Sequence, residues 1–241
     1  MTSAVHTISL INLSLSFLPV LIVILILWRW SLDYLDSIYA VSRMLVQLLL
    51  IGYILVYIFK SDSALVVSAI VVIMVFVSSW IALGTVRENR NKLYAKGLFS
   101  IAAGGGIILA IVTEAVLELE PWYLPHYVIP LAGMIFANAM NSVSLAAERF
   151  SSEIKLNSYE KSRNIAFSAS LIPNINMLFA VGIVSLPGMM TGQILSGVDP
   201  LIAARYQIMV MCMIFGSAGL STAIFLTLIK TDAIAGQMKT E

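Results

Sequence analysis

The side chains of this chain of 241 residues that could do chemistry are few, and they do not assemble a covalent mechanism. A phosphate-cradling P-loop requires a Gly-Lys dipeptide within GxxxxGK[ST]. No Gly-Lys pair occurs, so this chain is not expected to hydrolyse ATP itself. A metalloprotease HExxH is likewise missing. An intramembrane serine protease would need a serine and a histidine in reach. Ser221 follows Gly219-Leu220, but His126 is expected at the outer start of the fifth span and Ser221 in the inner half of the seventh, so Ser221 reads as a helix-packing residue. His6 and His126 alone make no metal site, and Cys212, the single cysteine, has no partner for a disulfide and fits no zinc spacing. What remains is soft and neutral: 12 methionines, and amides set in apolar surroundings.

Polarity inside an apolar segment is expensive and marks a pathway or a packing contact. In IPLAGMIFANAMNSVSLAAER, Met134, Asn138 and Asn141 fall on one helical face (i, i+4, i+7), with Gly133 and Ala137 beside them and Met140 nearby. Two amides there either clamp a neighbouring helix or line a substrate path. Arg43 and Gln47 form an i, i+4 pair whose arginine could simply snorkel to the interface. A thioether lining suits Cu(I)-like cations better than hard ones, although methionine also fills gaps in apolar cores. The stretch Asn164–Val198 is the most informative. It contains IPNIN (172–176) and VGIVSLPGMMTGQILSGVDP (181–200). Pro187 cannot continue a helical ladder and Gly188 invites departure from helical geometry. Gly188 and Gly192 form a GxxxG pair, followed by Ser196, that would let helices pack backbone to backbone. A break in a membrane helix is tolerated where protein or a water-filled cavity satisfies the freed groups, which is the geometry transporters use for ligand sites. Pro187, Gly188 and Gly192 are therefore hinge candidates, Met189, Met190, Thr191 and Gln193 pathway candidates, and Thr191 and Gln193 are expected to bond the freed backbone. A loop with a kinked packing helix is the other reading.

The elements that must carry these residues follow from composition. Apolar side chains make up 60% of the chain and charged ones 11%, against about 45–50% and about 25% in a soluble domain. Mean hydropathy is +0.96. A soluble enzyme is excluded, and a net charge of +1 offers nothing to nucleic acid. The charge-free runs are Met1–Trp28, Met44–Phe59, Ser63–Val86, Gly97–Thr113, Pro121–Ala147, Asn164–Val198 and Tyr206–Ile229. Crossing the hydrocarbon takes about 20 apolar residues. The second run must borrow back to about Ile38 and the fourth forward to about Leu117, while Asn164–Val198 is too long for one span and too short for two. The expectation is an all-α polytopic membrane protein of about seven transmembrane helices, 1–241 forming a single transmembrane domain, with no β-barrel alternation. All 14 basic residues except Lys60 and Arg205 fall on one side if seven spans alternate, which places the N-terminus outside and the C-terminus inside. Trp122 and Tyr123 would form an outer aromatic belt, and Trp28, Trp30 and Trp80 an inner one. The N-terminal run lacks a basic region and a cleavage site, so it is expected to be retained as span one.

VGIVSLPGMMTGQILSGVDPLIAARYQIMV resembles the signature of the FetB-type permeases, membrane subunits of small ABC transporters associated with iron export, a family that includes plant aluminium-tolerance permeases. SRMLVQLLLIGYIL, with Arg43, Gln47 and Gly52, and IPLAGMIFANAMNSVSL match further, so that the likeness covers nearly the whole chain. The resemblance implies an inner-membrane permease, a homodimer in contact with membrane lipid, exporting iron or another metal ion. A separate ABC ATP-binding subunit would use the ATP, with no cofactor in this chain. That subunit would press on the inside segments Thr85–Lys96 and Glu148–Asn164, making Arg149, Lys155, Lys161 and Arg163 docking candidates. The pattern departs from the family in one place: between the fifth span and IPN the family carries a longer cytoplasmic segment, whereas here only Glu148 to about Ala169 is available. Asn157 and Glu160 resemble a capping box that could start a short helix there. The other reading is a stand-alone secondary transporter or channel. Such carriers usually bury a mid-membrane carboxylate, and Glu114, near an outer helix end, is the only one close to a span.

Overall fold

The structure is a computed structural model that describes residues 8–60 and 63–231, with the backbone alone at Arg87 and Glu88. His6 and Lys239 lie outside the described residues. The chain divides into two compact units, Met1–Ser61 and Asp62–Glu241. In the first, α1 (Leu10–Leu15), α2 (Leu18–Arg29) and α3 (Tyr34–Ile58) follow one another. Ser9 Oγ caps α1 by accepting from Asn12 N at 3.2 Å, and Asp33 Oδ1 caps α3 by accepting from Asp36 N at 3.3 Å. Pro19 stands in the first turn of α2, where its missing N–H costs nothing. No residue of these three helices is buried. Helices apolar all round and yet uncovered are suited to hydrocarbon rather than water.

The second unit holds α4 (Ala64–Ala82), a 3-10 turn (Leu83–Asn89), α5 (Arg90–Ala110) with a π-helical turn (Ile111–Val116), α6 (Pro125–Glu153), α7 (Tyr159–Ala180), α8 (Gly188–Leu195) and α9 (Pro200–Leu228). The described residues contain no strand, only an isolated bridge between Val181 and Ser185. Six segments are long and apolar enough to cross a membrane: Leu10–Arg29, Tyr34–Ile58, Ala64–Val86, Arg90–Val116, Pro125–Glu153 and Pro200–Leu228. The molecule is a multi-pass helical membrane protein. The run expected to give a seventh span, Asn164–Val198, is divided between α7 and α8. At 22 residues α7 is about 33 Å long, but Glu160, Lys161 and Arg163 in its first turns and Asn164, Asn174 and Asn176 beyond them lower its hydropathy.

The core lies along α6, whose residues Leu131, Ile135, Ala139, Val143 and Ala146 recur every three or four positions and are almost wholly buried against α4, α5, α7 and α9. The closest approach is between α5 and α9. A Cβ on Gly104 would stand 2.8 Å from Ser221 Cα, and one on Gly105 would stand 2.6 Å from the Phe136 ring. These glycines in AAGGG (102–106) form the tight seam. The expected GxxxG pair does not: nothing lies within 4 Å of a Cβ at Gly188 or Gly192, because α8 is a short helix with its glycines facing open space. Ser221 is fully buried in the α5 seam and its Oγ bonds to nothing, so it serves by being small. Other buried hydroxyls turn back on their own helices, as Ser79 Oγ does to Val75 O at 2.7 Å and Ser100 Oγ to Gly97 O at 2.9 Å.

One end of this unit gathers cations and rings. The Arg90 guanidinium lies 3.5 Å from the centre of the Trp80 ring and donates to Trp80 O, and Trp80 meets Tyr94 edge-on at 5.7 Å. Tyr159 OH donates to Leu226 O at 2.8 Å, its ring edge-on to Phe150, with Arg163 and Lys230 at 5.8 and 5.7 Å from its centre. The start of α7 is thereby fastened to the end of α9. Asn157 does not form the expected capping box: Ser158 is the N-cap and makes no side-chain cap bond, while Asn157 Nδ2 donates back to Glu153 Oε2 at 2.8 Å. The seam makes a sharp contrast testable by thermal unfolding in detergent. Gly104→Ala should lose about 1–3 kcal/mol through overpacking against backbone, whereas Gly192→Ala should leave the midpoint unchanged or raised.

Candidate functional site

A cavity of about 450 Å³ opens at the end of the second unit opposite the Tyr159 cluster. Three helices supply most of its wall, each from one face. From α6 come His126, Tyr127, Pro130, Leu131 and Met134, from α8 Met189 and Gln193, and from α9 Ile202, Tyr206 and Met209, with Leu117 and Val198 from the connections. His126, Pro130 and Met134 are successive i, i+4 neighbours, as are Met189 and Gln193, and Ile202, Tyr206 and Met209 follow the same period. Leu117 is delivered by the π-helical turn that ends the α5 rod, a distortion that recurs at functional sites. No lining residue carries a carboxylate, and the described residues contain no group of three or more His, Cys, Asp or Glu that could hold a metal ion.

The hairpin of α8 into α9 explains why PGMMTGQILSGVDP has its particular punctuation. Pro187 is the N-cap of α8, and Thr191 Oγ1 donates to Pro187 O at 3.1 Å, closing the first turn. Gly197 takes the left-handed conformation (φ 90°) that ends a helix without a Cβ clash. Val198 N then donates to Gln193 O at 3.0 Å and Gly197 N to Ile194 O at 2.9 Å, the paired bonds of a Schellman stop. One residue later Asp199 Oδ1 caps α9, accepting from Leu201 N at 2.8 Å and Ile202 N at 3.4 Å, and Pro200 occupies its first position. Gly182 (φ 83°) makes the corresponding turn after α7, its N–H donating to Ser185 O at 2.9 Å.

Of the sequence candidates, the structure brings Met134, Met189 and Gln193 together in this cavity. Gln193 Oε1 is buried there with no hydrogen-bond partner, so it does not bond the freed backbone as expected; Thr191 alone does. Asn138 and Asn141 do not form a polar pair. Asn138 Nδ2 folds back onto Met134 O at 2.8 Å and Asn141 is exposed. Met140 packs on the core, and Met190 and Thr191 are half-buried outside the cavity lining. The interhelical clamp is made instead by Asn174, the asparagine of IPN, whose Nδ2 donates to Ser142 Oγ at 3.1 Å. Arg43 and Gln47 belong to α3 of the other unit, half-buried and exposed respectively. Among the basic candidates, Arg149 pairs with Glu153 at 2.9 Å and Arg163 donates to Asn164 Oδ1 at 2.9 and 3.1 Å, while Lys155 and Lys161 are exposed. Sequence reasoning missed His126, Tyr206 and Met209 as one group. The signal was the i, i+4, i+7 spacing of Ile202, Tyr206 and Met209.

A helical bundle with long apolar segments, and a short capped helix as one wall of its cavity, has the form of a multi-pass membrane protein. The family model described as "Uncharacterised protein family (UPF0014)" matches residues 10–161 and 156–234, and the chain belongs to that family. The two matched stretches overlap at 156–161, the junction of α6 and α7. The chain is similar to "Probable iron export permease protein FetB" of Escherichia coli K12, 35% identical over 91% of this chain and 90% of that one. It is also similar to "UPF0014 membrane protein slr1647" of Synechocystis (36%; 76% and 77% covered). A third relative is "Protein ALUMINUM SENSITIVE 3" of Arabidopsis thaliana (32%; 78% and 73%). No solved structure matches the chain.

The caps hold α8 against the cavity, which generates a local test. Gly197→Ala forces a left-handed alanine at a cost of about 1–2 kcal/mol, and Asp199→Ala removes the α9 cap at about 0.5–2 kcal/mol. In a Cys212→Ser background, a Gln193→Cys reporter should be alkylated faster when either change is added. Equal rates would mean that the caps do not secure this wall.

Proposed function

We propose that the chain is the membrane permease subunit of an ABC-type transporter, exporting iron or another metal ion from the cell across the inner membrane and powered by a separate ATP-binding subunit. The observation that carries the reading is the two-ended second unit: a neutral cavity at one end and a cation-rich cluster at the other, connected by α6 and α9. The printed name of the Escherichia coli relative supports the class of cargo. Seven crossings are supported by the course of α7, which starts at the cluster beside Leu226 and leads to α8 at the cavity. Alternation then puts the cluster inside, the cavity outside, the N-terminus outside and the C-terminus inside, with the excess of Lys and Arg in the cytoplasm. ATP would be bound by the partner alone. The functional unit would be a homodimer, with lipid on its apolar flanks.

In this reading Met134, Met189 and Gln193 face the cargo, and Pro187 with the α8 turns is the hinge. Gly188 and Gly192 would serve it by leaving α8 uncrowded. Arg43, Gln47, Asn138, Met140, Asn141, Met190 and Thr191, which do not line the cavity, would contribute in another conformation or across the dimer. Lys155 and Lys161 are the docking groups free to meet a partner's acidic surface, because Arg149 and Arg163 are engaged within the chain. Co-expression with an ABC ATP-binding subunit, followed by co-purification, tests the assignment. Lys155→Glu with Lys161→Glu should cut recovery of that subunit severalfold while the permease stays folded. Arg149→Glu should do so less. Full recovery with the double reversal would remove this docking surface, and absence of any association by the native chain would remove the ABC assignment.

A further inference from the structure

Three methionines from three helices, Met134, Met189 and Met209, line this cavity, among twelve lining residues in a chain with 12 methionines in 241. That is several times the frequency expected of an arbitrary set of side chains. Methionine in a core serves by filling gaps, yet these three border a gap that is left open. The remaining donors are the imidazole of His126, the phenol oxygens of Tyr127 and Tyr206, and the amide oxygen of Gln193, which is buried and accepts no hydrogen bond from protein. A buried acceptor without a partner is costly, and a ligand that binds there removes the cost. Hard cations such as ferric or aluminium ions favour several anionic oxygens; no carboxylate lines this cavity, and its only phenols are Tyr127 and Tyr206 against three thioethers. Thioethers select soft, low-valent ions, and imidazole complements them.

We propose that this cavity is a binding site for a soft, low-valent cation with the ligand preferences of Cu(I), held by the sulfurs of Met134, Met189 and Met209 with His126 and Gln193 as supplementary donors. The proposal rests on the reading of the cavity as the cargo site and narrows its cargo to a reduced, soft ion in place of a hard trivalent one. No electron transfer is involved; these ligands replace the ion's previous ones without change in its oxidation state.

Silver(I), redox-inert and soft, is the probe. Full-length protein in lipid nanodiscs, carrying Cys212→Ser to remove the exposed competing thiol, is labelled with methyl-13C methionine and titrated with Ag(I). One equivalent should shift the methyl signals of Met134, Met189 and Met209 together and leave Met140 and Met190 in place. The volume-conserving triple change Met134→Leu, Met189→Leu, Met209→Leu should weaken Ag(I) by about tenfold or more, the scale on which metal sites respond to lost supporting groups. Ferric citrate and aluminium should not displace the silver. Shifts scattered over all methionines, unchanged affinity in the triple variant, or displacement by either trivalent ion would overturn the proposal. The permease reading fails separately: silver bound as expected with no ATP-binding partner recovered removes the ABC assignment and leaves the site. An associated partner with no silver bound does the reverse.

Discussion

Hydrocarbon offers a peptide group no hydrogen bond, so every interruption of a helix in this chain has to be satisfied from within. The interruption at 181–187 meets that constraint with few residues. Val184 N donates to Ala180 O at 2.8 Å, Gly182 N to Ser185 O, and Thr191 Oγ1 returns a bond to Pro187 O. The same constraint explains why Ser79, Ser100, Thr113 and Ser170 all bond to carbonyls of their own helices, while Asn174, Tyr159 and Tyr94 are among the side chains that bond across helices. Because the break is closed locally, α8 can be short and stand against α9 without being buried in the bundle. A cavity at that position follows from a wall that does not need to pack.

The fold was largely legible because the charge-free runs report directly on where water is absent. Leu10–Arg29, Ala64–Val86 and Pro200–Leu228 lie close to the expected runs, and the second run does borrow residues, reaching back to Tyr34. The fourth continues past Thr113 as a π-helical turn to Val116. What hydropathy could not resolve was Asn164–Val198, where one average covers most of α7, a turn and the short helix α8. The tight seam was also misplaced. Small residues mark close approach only if a partner arrives, and the spacing of Gly188 and Gly192 was as suggestive as AAGGG, whereas of these five glycines Gly104 and Gly105 alone meet another helix.

The site was half legible for a related reason. Met134, Met189 and Gln193 were found from polarity and from the break, both local features. His126 and Met209 join them only through tertiary packing, and nothing local distinguishes Met209 from Met211 or Met213, which are buried in the core. Asn138 and Asn141 misled because their shared face is real, yet an amide in an apolar helix can satisfy itself against the preceding turn, as Asn138 does with Met134 O. Helical spacing identifies which side chains share a direction. It does not identify which of them have already found a partner.

Coupling between the two ends of the second unit follows from which parts are rigid. Helices α6 and α9 each have 29 residues, about 43 Å of continuous rod, and both reach from the cavity wall to the basic cluster. They are joined by the fully buried face of Ile135, Ala139 and Val143 and by Tyr159, which meets Phe150 of α6 edge-on while bonding Leu226 of α9. A displacement imposed at the cluster therefore moves both rods together at the cavity. The third wall, α8, has no buried residue and is connected to its neighbours through Gly182, Pro187 and Gly197. Closely packed cores switch between discrete arrangements more readily than they deform. The relative motion has to be taken up where packing is weakest, which is between α8 and the two rods. In the permease reading, that is the surface where Met189 and Gln193 face Met134 and Met209, so the element most able to move is also the one that supplies donors to the cargo.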